Sequence, residues 1–165
     1  TIPLVGDLTN EDSMGHSAVI CEGDIQVISA GTGIYHSEHN KRDDKQVELL
    51  QLWIFPDQQN VTPRYDQISI RDLKKENAFY QIISPNANDE GSWIYQKTWM
   101  QIGDFTQSTT NNYSVGAEGN GVYVFVINGQ KLEKRDALGV WDTPSFELFA
   151  EENSRILLID VPMEF

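Results

Sequence analysis

Residues Ser29–Asn40 read SAGTGIYHSEHN. This stretch sets His36, Glu38 and His39 close behind Ala30, Gly31 and Gly33, in a chain with only 3 histidines. Small residues let the backbone bend sharply, and the run behind them reads as a strand entered from that bend. Side chains two apart in a strand share a face. His36 and Glu38 are therefore expected to point together, with Ser37 and His39 on the other side. An imidazole beside a carboxylate is half of a mixed nitrogen–oxygen site for a divalent first-row metal. The plainer alternative is that His36 only hydrogen-bonds Glu38 at the mouth of a β-barrel. Two ligands do not make a site, so spacing leaves both readings open.

Outward from this stretch, short β-type runs recur with turn signals between them. They are Ser17–Ile20, Ile25–Ser29, Val47–Phe55, Arg64–Ile70, Phe79–Ser84, Ser92–Gln96, Val122–Ile127, Ala137–Trp141, Phe146–Phe149 and Arg155–Asp160. In YDQISI, Tyr65, Gln67 and Ser69 face one way while Asp66, Ile68 and Ile70 face the other. Asn128-Gly129 is the usual signal of a two-residue hairpin. Only Ile70–Ala78 suggests helix, for about one turn. Many short, regularly spaced strands predict an all-β sandwich or barrel. The Pro/Asn/Gly stretch Ser84–Ser92 divides the chain into residues 1–84 and 85–165. An acidic turn, an apolar strand, a break and another strand recur in both halves, consistent with two related β-barrels in tandem.

Composition narrows the partners. With 25 acidic against 12 basic residues, the net charge is −13, which repels phosphate backbones and anionic lipid. No nucleic-acid or membrane contact is expected. The basic residues in Asn40–Lys45 and Glu133–Asp136 are interrupted by acids and read as solvated loops. Cys21, the single cysteine, fits a reducing compartment and reads as apolar filler. No apolar run reaches the roughly 18 residues of a membrane span, so a cytoplasmic location is expected. Asn112–Ser114 matches a glycosylation acceptor but carries little weight without a signal peptide. Thr1–Leu8 reads as a strand already under way, so an earlier segment of the natural protein is expected.

Other motifs are weaker. Gly116–Gly121 lacks the G-x-G-x-x-G spacing and opens no helix, which argues against nucleotide binding. Asn10–Gly15 is acid-rich but reads as a polar hairpin turn. Ser13, Ser29 and Ser37 lack any triad signature. Trp53, Trp93, Trp99 and Trp141 are expected to fill the barrels. Gln51 and Trp53 share a face of one strand, which would suit an aromatic ligand.

Three stretches carry a family resemblance: EDSMGHSAVICEGDIQVISAGTGIYHSEHN at Glu11–Asn40, LLQLWIFPDQQNVTPRYDQ at Leu49–Gln67, and LLIDVP at Leu157–Pro162. Together they resemble the pirin family of the cupin superfamily, most specifically over the first 67 residues. The resemblance implies a tandem cupin of two jelly-roll-type barrels, a metal-type domain at 1–84 and a second domain at 85–165 without metal ligands. It also implies that the first barrel lacks its opening strands. The family's metal, usually iron, with nickel, zinc and copper as alternatives, is held by three histidines and a glutamate. His36 and Glu38 match the last two; the first two belong to an H-x-H motif expected before Thr1. His16 and His39 fall at no ligand position.

The activity implied is that of a quercetin 2,3-dioxygenase. A flavonol would bind through its 3-hydroxyl, with Glu38 accepting the proton. This requires the missing metal ligands to be supplied, and a chain without bound metal is the other expectation. The alternatives are a non-enzymatic regulatory, protein-binding module and an inactive remnant. An unpaired sheet edge beside Thr1–Val5 is expected to seek a second copy, as a dimer or by strand exchange.

Overall fold

The computed structural model describes residues 1–164, and every regular element among them is a β-strand. None of the described residues forms a helix long and apolar enough to cross a membrane. Two compact units form, one from Thr1–Asp72 with Ser92–Gln96, the other from Leu73–Gly91 with the chain from Lys97 onward. Strands are numbered along the chain.

The first unit holds β1 (Ile2–Val5), β2 (Leu8–Asp12), β3 (Ser17–Ile20), β4 (Asp24–Ser29), β5 (His36–Asn40), β6 (Glu48–Leu50) and β7 (Arg64–Ser69). They make three small antiparallel sheets: β3-β2-β5, β4-β7 and β1-β6. The turn from β2 to β3 forms because Asp12 Oδ1 accepts the N–H groups of Met14 (2.8 Å) and His16 (3.0 Å). Gly15 supplies the positive φ of +92° that the turn needs. Entry to β5 depends on Gly31, whose φ is +53°. A Cβ there would strike the Val61 carbonyl, which accepts the Thr32 N–H at 3.0 Å. Ile2, Leu4, Leu8, Ile20, Ile25 and Val27 are buried. β1 is paired along β6, and Thr1 exchanges two backbone hydrogen bonds with Gln26.

The expected strand Val47–Phe55 is much shorter, because ladder pairing ends at Leu50. Pro56 has no N–H to donate, and bends follow it at 57–60. Trp53 is 86% and Phe55 77% exposed, so Trp53 fills no core, contrary to expectation. Trp141, at 58%, also lies outward. Trp93, in β9 (Ser92–Trp93), instead lies under the Arg64 guanidinium, 4.4 Å from the ring centroid.

The second unit contains β8 (Phe79–Ser84), β10 (Trp99–Phe105), β11 (Thr109–Ser114), β12 (Asn120–Asn128), β13 (Ala137–Val140), β14 (Ser145–Ala150) and β15 (Ser154–Pro162). Within it the strand order is β13-β12-β15-β10-β8, with β11-β14 as a second sheet. Phe79–Ser84, which precedes the boundary read at residue 84, lies in this unit because it pairs with β10. Phe105, Tyr113, Val122, Val124, Ala150, Ile156 and Leu158 pack into one apolar cluster. Each large member contributes about 1.5–3 kcal/mol by leaving water.

Two further expectations fail. Ile70–Ala78 forms turns without a helix. Asn77, at φ +53°, uses its Oδ1 to accept the Thr106 and Gln107 N–H groups at 2.8 and 3.1 Å. Such side-chain bonding competes with helix. Asn128-Gly129 likewise makes no two-residue turn, since β13 begins only at Ala137. Arg135, at φ +79°, closes the longer loop by donating its N–H to the Val126 carbonyl at 2.8 Å.

Candidate functional site

β5 lies against β2 with Asn40 opposite Leu8, Glu38 opposite Asn10, and His36 opposite Asp12. Partners across a ladder share a face. Leu8 and Asn10 are buried, so His36, Glu38 and Asn40 are on the inward face. Ser37 and His39 lie opposite Glu11 and Thr9 on the outward face. His36 is exposed at one end of this row, and Glu38 is half-buried in its middle.

Both oxygens of Glu38 are held. Gln51 Nε2 donates to Oε2 at 2.9 Å, and Thr1 Oγ1 donates to Oε1 at 3.3 Å. A carboxylate offers about four lone-pair directions, so acceptor capacity remains. Gln51 follows β6 directly; its place on a common face with Trp53 gave no sign that it would reach Glu38.

The β4-β7 sheet presents a second polar face in the same unit. Gln26 is opposite Gln67, and Ile28 opposite Tyr65. The Tyr65 hydroxyl donates to Gln67 Oε1 at 2.8 Å. Gln67 Nε2 in turn donates to the Val19 carbonyl at 2.9 Å and to Asp24 Oδ2 at 3.2 Å. Burial pushes the Tyr65 pKa upward, opposed by the neighbouring Gln26 amide and reinforced by the charges of Asp12, Glu38 and Asp24. His16 stacks on the Tyr65 ring at 4.9 Å between centroids and holds Asp12 Oδ2 at 2.8 Å. It is therefore a structural partner of the turn. Burial raises the Asp12 carboxyl, but hydrogen bonds from His16 and Met14 outweigh this and leave its pKa lowered.

Asn10 is fully buried, yet neither of its side-chain polar atoms has a hydrogen-bond partner. Gln26, 3% exposed, leaves Nε2 without one. Unpaired amides are costly in an interior, and nothing in the amino-acid pattern singled them out. The second unit differs. Its fully buried Asp160 accepts from the Tyr113 hydroxyl (2.8 Å), the Gly116 N–H (2.7 Å) and Asn120 Nδ2 (2.6 Å).

Toward a divalent metal, the inward row offers one imidazole and one carboxylate, the right donor types for a first-row ion. Among the described residues, no group of three or more His, Cys, Asp or Glu side chains is placed to hold one. Protein sites ordinarily use at least three such ligands. His36 and Glu38 alone thus fit part of a coordination sphere and do not complete one.

Comparison with known proteins bears on this arrangement. Residues 1–54 match the pirin family, and residues 81–161 match the quercetinase C-terminal cupin domain. The chain is 32% identical to a quercetin 2,3-dioxygenase of Escherichia coli K12, over 98% of this chain and 71% of that protein. It is 26% identical to a pirin-like protein of Caulobacter vibrioides, covering 94% of this chain and 69% of that one. The crystal structure of the bacterial pirin YhhW from Escherichia coli in complex with nickel(II) superposes with a TM-score of 0.88. That match has 28% identity and covers 98% of this chain and 70% of that one.

Proposed function

Because the chain belongs to the pirin family, we propose that the inward face of its first unit is the reaction site of a quercetin 2,3-dioxygenase-type oxidoreductase. His36 and Glu38 are its metal ligands, and Glu38 is also the proton acceptor. One observation carries this reading: the Glu38 carboxylate is fixed on the inward face of β5, beside His36, with acceptor capacity left over. The metal is divalent, iron first, with nickel, zinc or copper as alternatives. Its remaining donors come from outside the groups that residues 1–164 bring together.

When bound, such a metal lowers the pKa of a coordinated hydroxyl. The chain's own residues do the rest. Glu38 takes the proton from the flavonol 3-hydroxyl, a transfer that requires hydrogen-bond reach. Gln51 and Thr1 keep the carboxylate from rotating away during that step. The deprotonated flavonol is then the species whose heterocycle dioxygen cleaves.

The test joins elemental analysis with dioxygen consumption on quercetin. Near-stoichiometric metal that disappears in His36→Ala, together with consumption lost in Glu38→Gln, supports the proposal. A metal-loaded protein whose turnover is indifferent to Glu38→Gln rejects it. Trp53 favours the second reading, a non-enzymatic protein-binding module, because a tryptophan 86% exposed offers a large apolar face to a partner protein. Quercetin turnover by the intact protein discriminates between the two.

A further inference from the structure

A cavity of about 800 Å³ opens in the second unit, within the size range of small-molecule sites. Its walls come from the β11–β12 loop, the β13–β14 loop, Lys97 before β10, and the end of β15. These walls are bonded to one another. The Val115 N–H donates to the Pro144 carbonyl at 2.9 Å, and the Met163 N–H to the Gly119 carbonyl at 3.1 Å. Asn120, also in the lining, donates from Nδ2 to the Lys97 carbonyl at 2.9 Å and to buried Asp160 at 2.6 Å. Asp160 holds the same loop a second time through the Gly116 N–H, and Gly116 lies so close on the Trp99 ring that a Cβ would come within 2.3 Å of it. The cavity is therefore formed before anything enters it, and a preformed cavity spares its occupant the cost of ordering the walls.

The lining sets the chemistry of that occupant. Trp141, Met163, Pro144 and Pro162 supply apolar wall, and Trp141 is 58% exposed because it faces this cavity and not the core. Glu118, Asp142 and Glu164 are exposed along the same cavity, three carboxylates against the one ammonium of Lys97. In a chain of net charge −13, that balance turns anions away and draws cations. Tryptophan is also the aromatic ring whose face attracts a cation best. We propose that this cavity binds a small organic cation: an ammonium group held by the Trp141 ring and the neighbouring carboxylates, on an apolar body that covers the prolines and Met163. A hydrated inorganic cation would leave the apolar walls unused, and a neutral apolar molecule would leave the carboxylates unused. The site lies in the second unit, so it stands independently of the reading of Glu38.

The experiment titrates the full chain calorimetrically with benzyltrimethylammonium, benzyl alcohol and benzoate, three probes that share a ring and differ in charge. The ammonium compound is expected to bind at least about tenfold more tightly than the alcohol, and benzoate to give no binding heat. Trp141→Ala should weaken the ammonium compound about tenfold, and Asp142→Asn about threefold, with affinity falling as salt is raised. Trp141→Phe keeps an aromatic face and should retain part of the affinity, which separates loss of the ring from loss of the fold. Phe149→Ala removes another exposed ring of the same unit that does not line the cavity, and should leave binding as it was. Equal affinity for the ammonium compound and the alcohol overturns the proposal, as does the absence of ammonium binding at millimolar concentration. So does affinity untouched by Trp141→Ala, or lost equally in Phe149→Ala, since either places the binding elsewhere on the surface.

Discussion

Gln51 Nε2 donates to Glu38 Oε2 at 2.9 Å, so the residue just past β6 fixes the orientation of the carboxylate on β5. This bond joins two sheets of the first unit, β1-β6 and β3-β2-β5. It explains why a glutamate on an otherwise short strand holds a defined direction.

Removing that bond should impair chemistry more than folding. Partners that orient metal-binding or catalytic side chains typically cost 10–100-fold when deleted. Gln51→Leu is therefore expected to lower quercetin turnover by about tenfold or more. Gln51 is itself exposed, so unfolding free energy should move by no more than about 0.5 kcal/mol. Parallel steady-state kinetics and urea melts check this. Equal turnover in parent and variant would mean that Glu38 needs no orienting partner.

In the second unit, Asp160 accepts three hydrogen bonds in a fully buried position. Asp160→Ala leaves the Tyr113 hydroxyl, the Gly116 N–H and the Asn120 amide without that acceptor. At about 1–3 kcal/mol for each stranded group, the expected loss exceeds roughly 3 kcal/mol. Tyr113→Phe removes one donor only and should cost about 1 kcal/mol. Denaturant unfolding ranks the two variants, and a milder effect for Asp160→Ala than for Tyr113→Phe would contradict the network.

How much of this was legible in the sequence differs by element. β3 and β8 begin and end where alternation and turn residues placed them, because each is bounded by clear breakers. β10 (Trp99–Phe105) lies outside every run read as a strand, and its interior Gly103 weakens the strand pattern there. In the fold, a Cβ at residue 103 would lie 2.6 Å from the Phe105 ring and 3.0 Å from Phe79, so the glycine serves packing and ends nothing. β11 was missed because TTNNYS is polar throughout except Tyr113, its one buried residue. At the site, the common face of His36 and Glu38 follows from period two alone. The Gln51 bond and the stranded Asn10 amide depend on which strands become neighbours, and no local pattern encodes that.

Alkaline pH should destabilise the second unit through its buried phenols. Burial first, then the Asp104 carboxylate, pushes Tyr80 up to about 12. Burial and the Asp160 carboxylate raise Tyr113 as well. An unfolded tyrosine ionises near pH 10. Above that value the unfolded chain releases protons that the folded protein keeps, so the folded state binds more protons and stability falls as pH rises. The contribution of Tyr80 is complete below about pH 10 and is lost progressively toward pH 12. Urea midpoints across pH 9–11, read with tyrosinate absorbance, should show this decline, and Tyr80→Phe should flatten part of it. A midpoint independent of pH in that window would refute the assignment.

The bend before β5 should be the most sensitive backbone position of the site. Gly31 has φ +53°, and a Cβ there would meet the Val61 carbonyl, the acceptor for the Thr32 N–H. Alanine pays about 1–2 kcal/mol for the left-handed backbone alone, and the fixed carbonyl adds a clash with backbone, which cannot rotate aside as a side chain can. Gly119 is the appropriate control, having φ +82° and nothing within 4 Å of its Cβ position. Gly119→Ala should carry only the conformational penalty and leave quercetin affinity unchanged. Gly31→Ala should lose more stability and also weaken quercetin binding, because displacing the bend shifts where β5 begins and with it His36 and Glu38. Melting temperatures and titrations on the two variants decide the matter. Equal losses in both, with ligand affinity intact in Gly31→Ala, would show that the bend does not position the site.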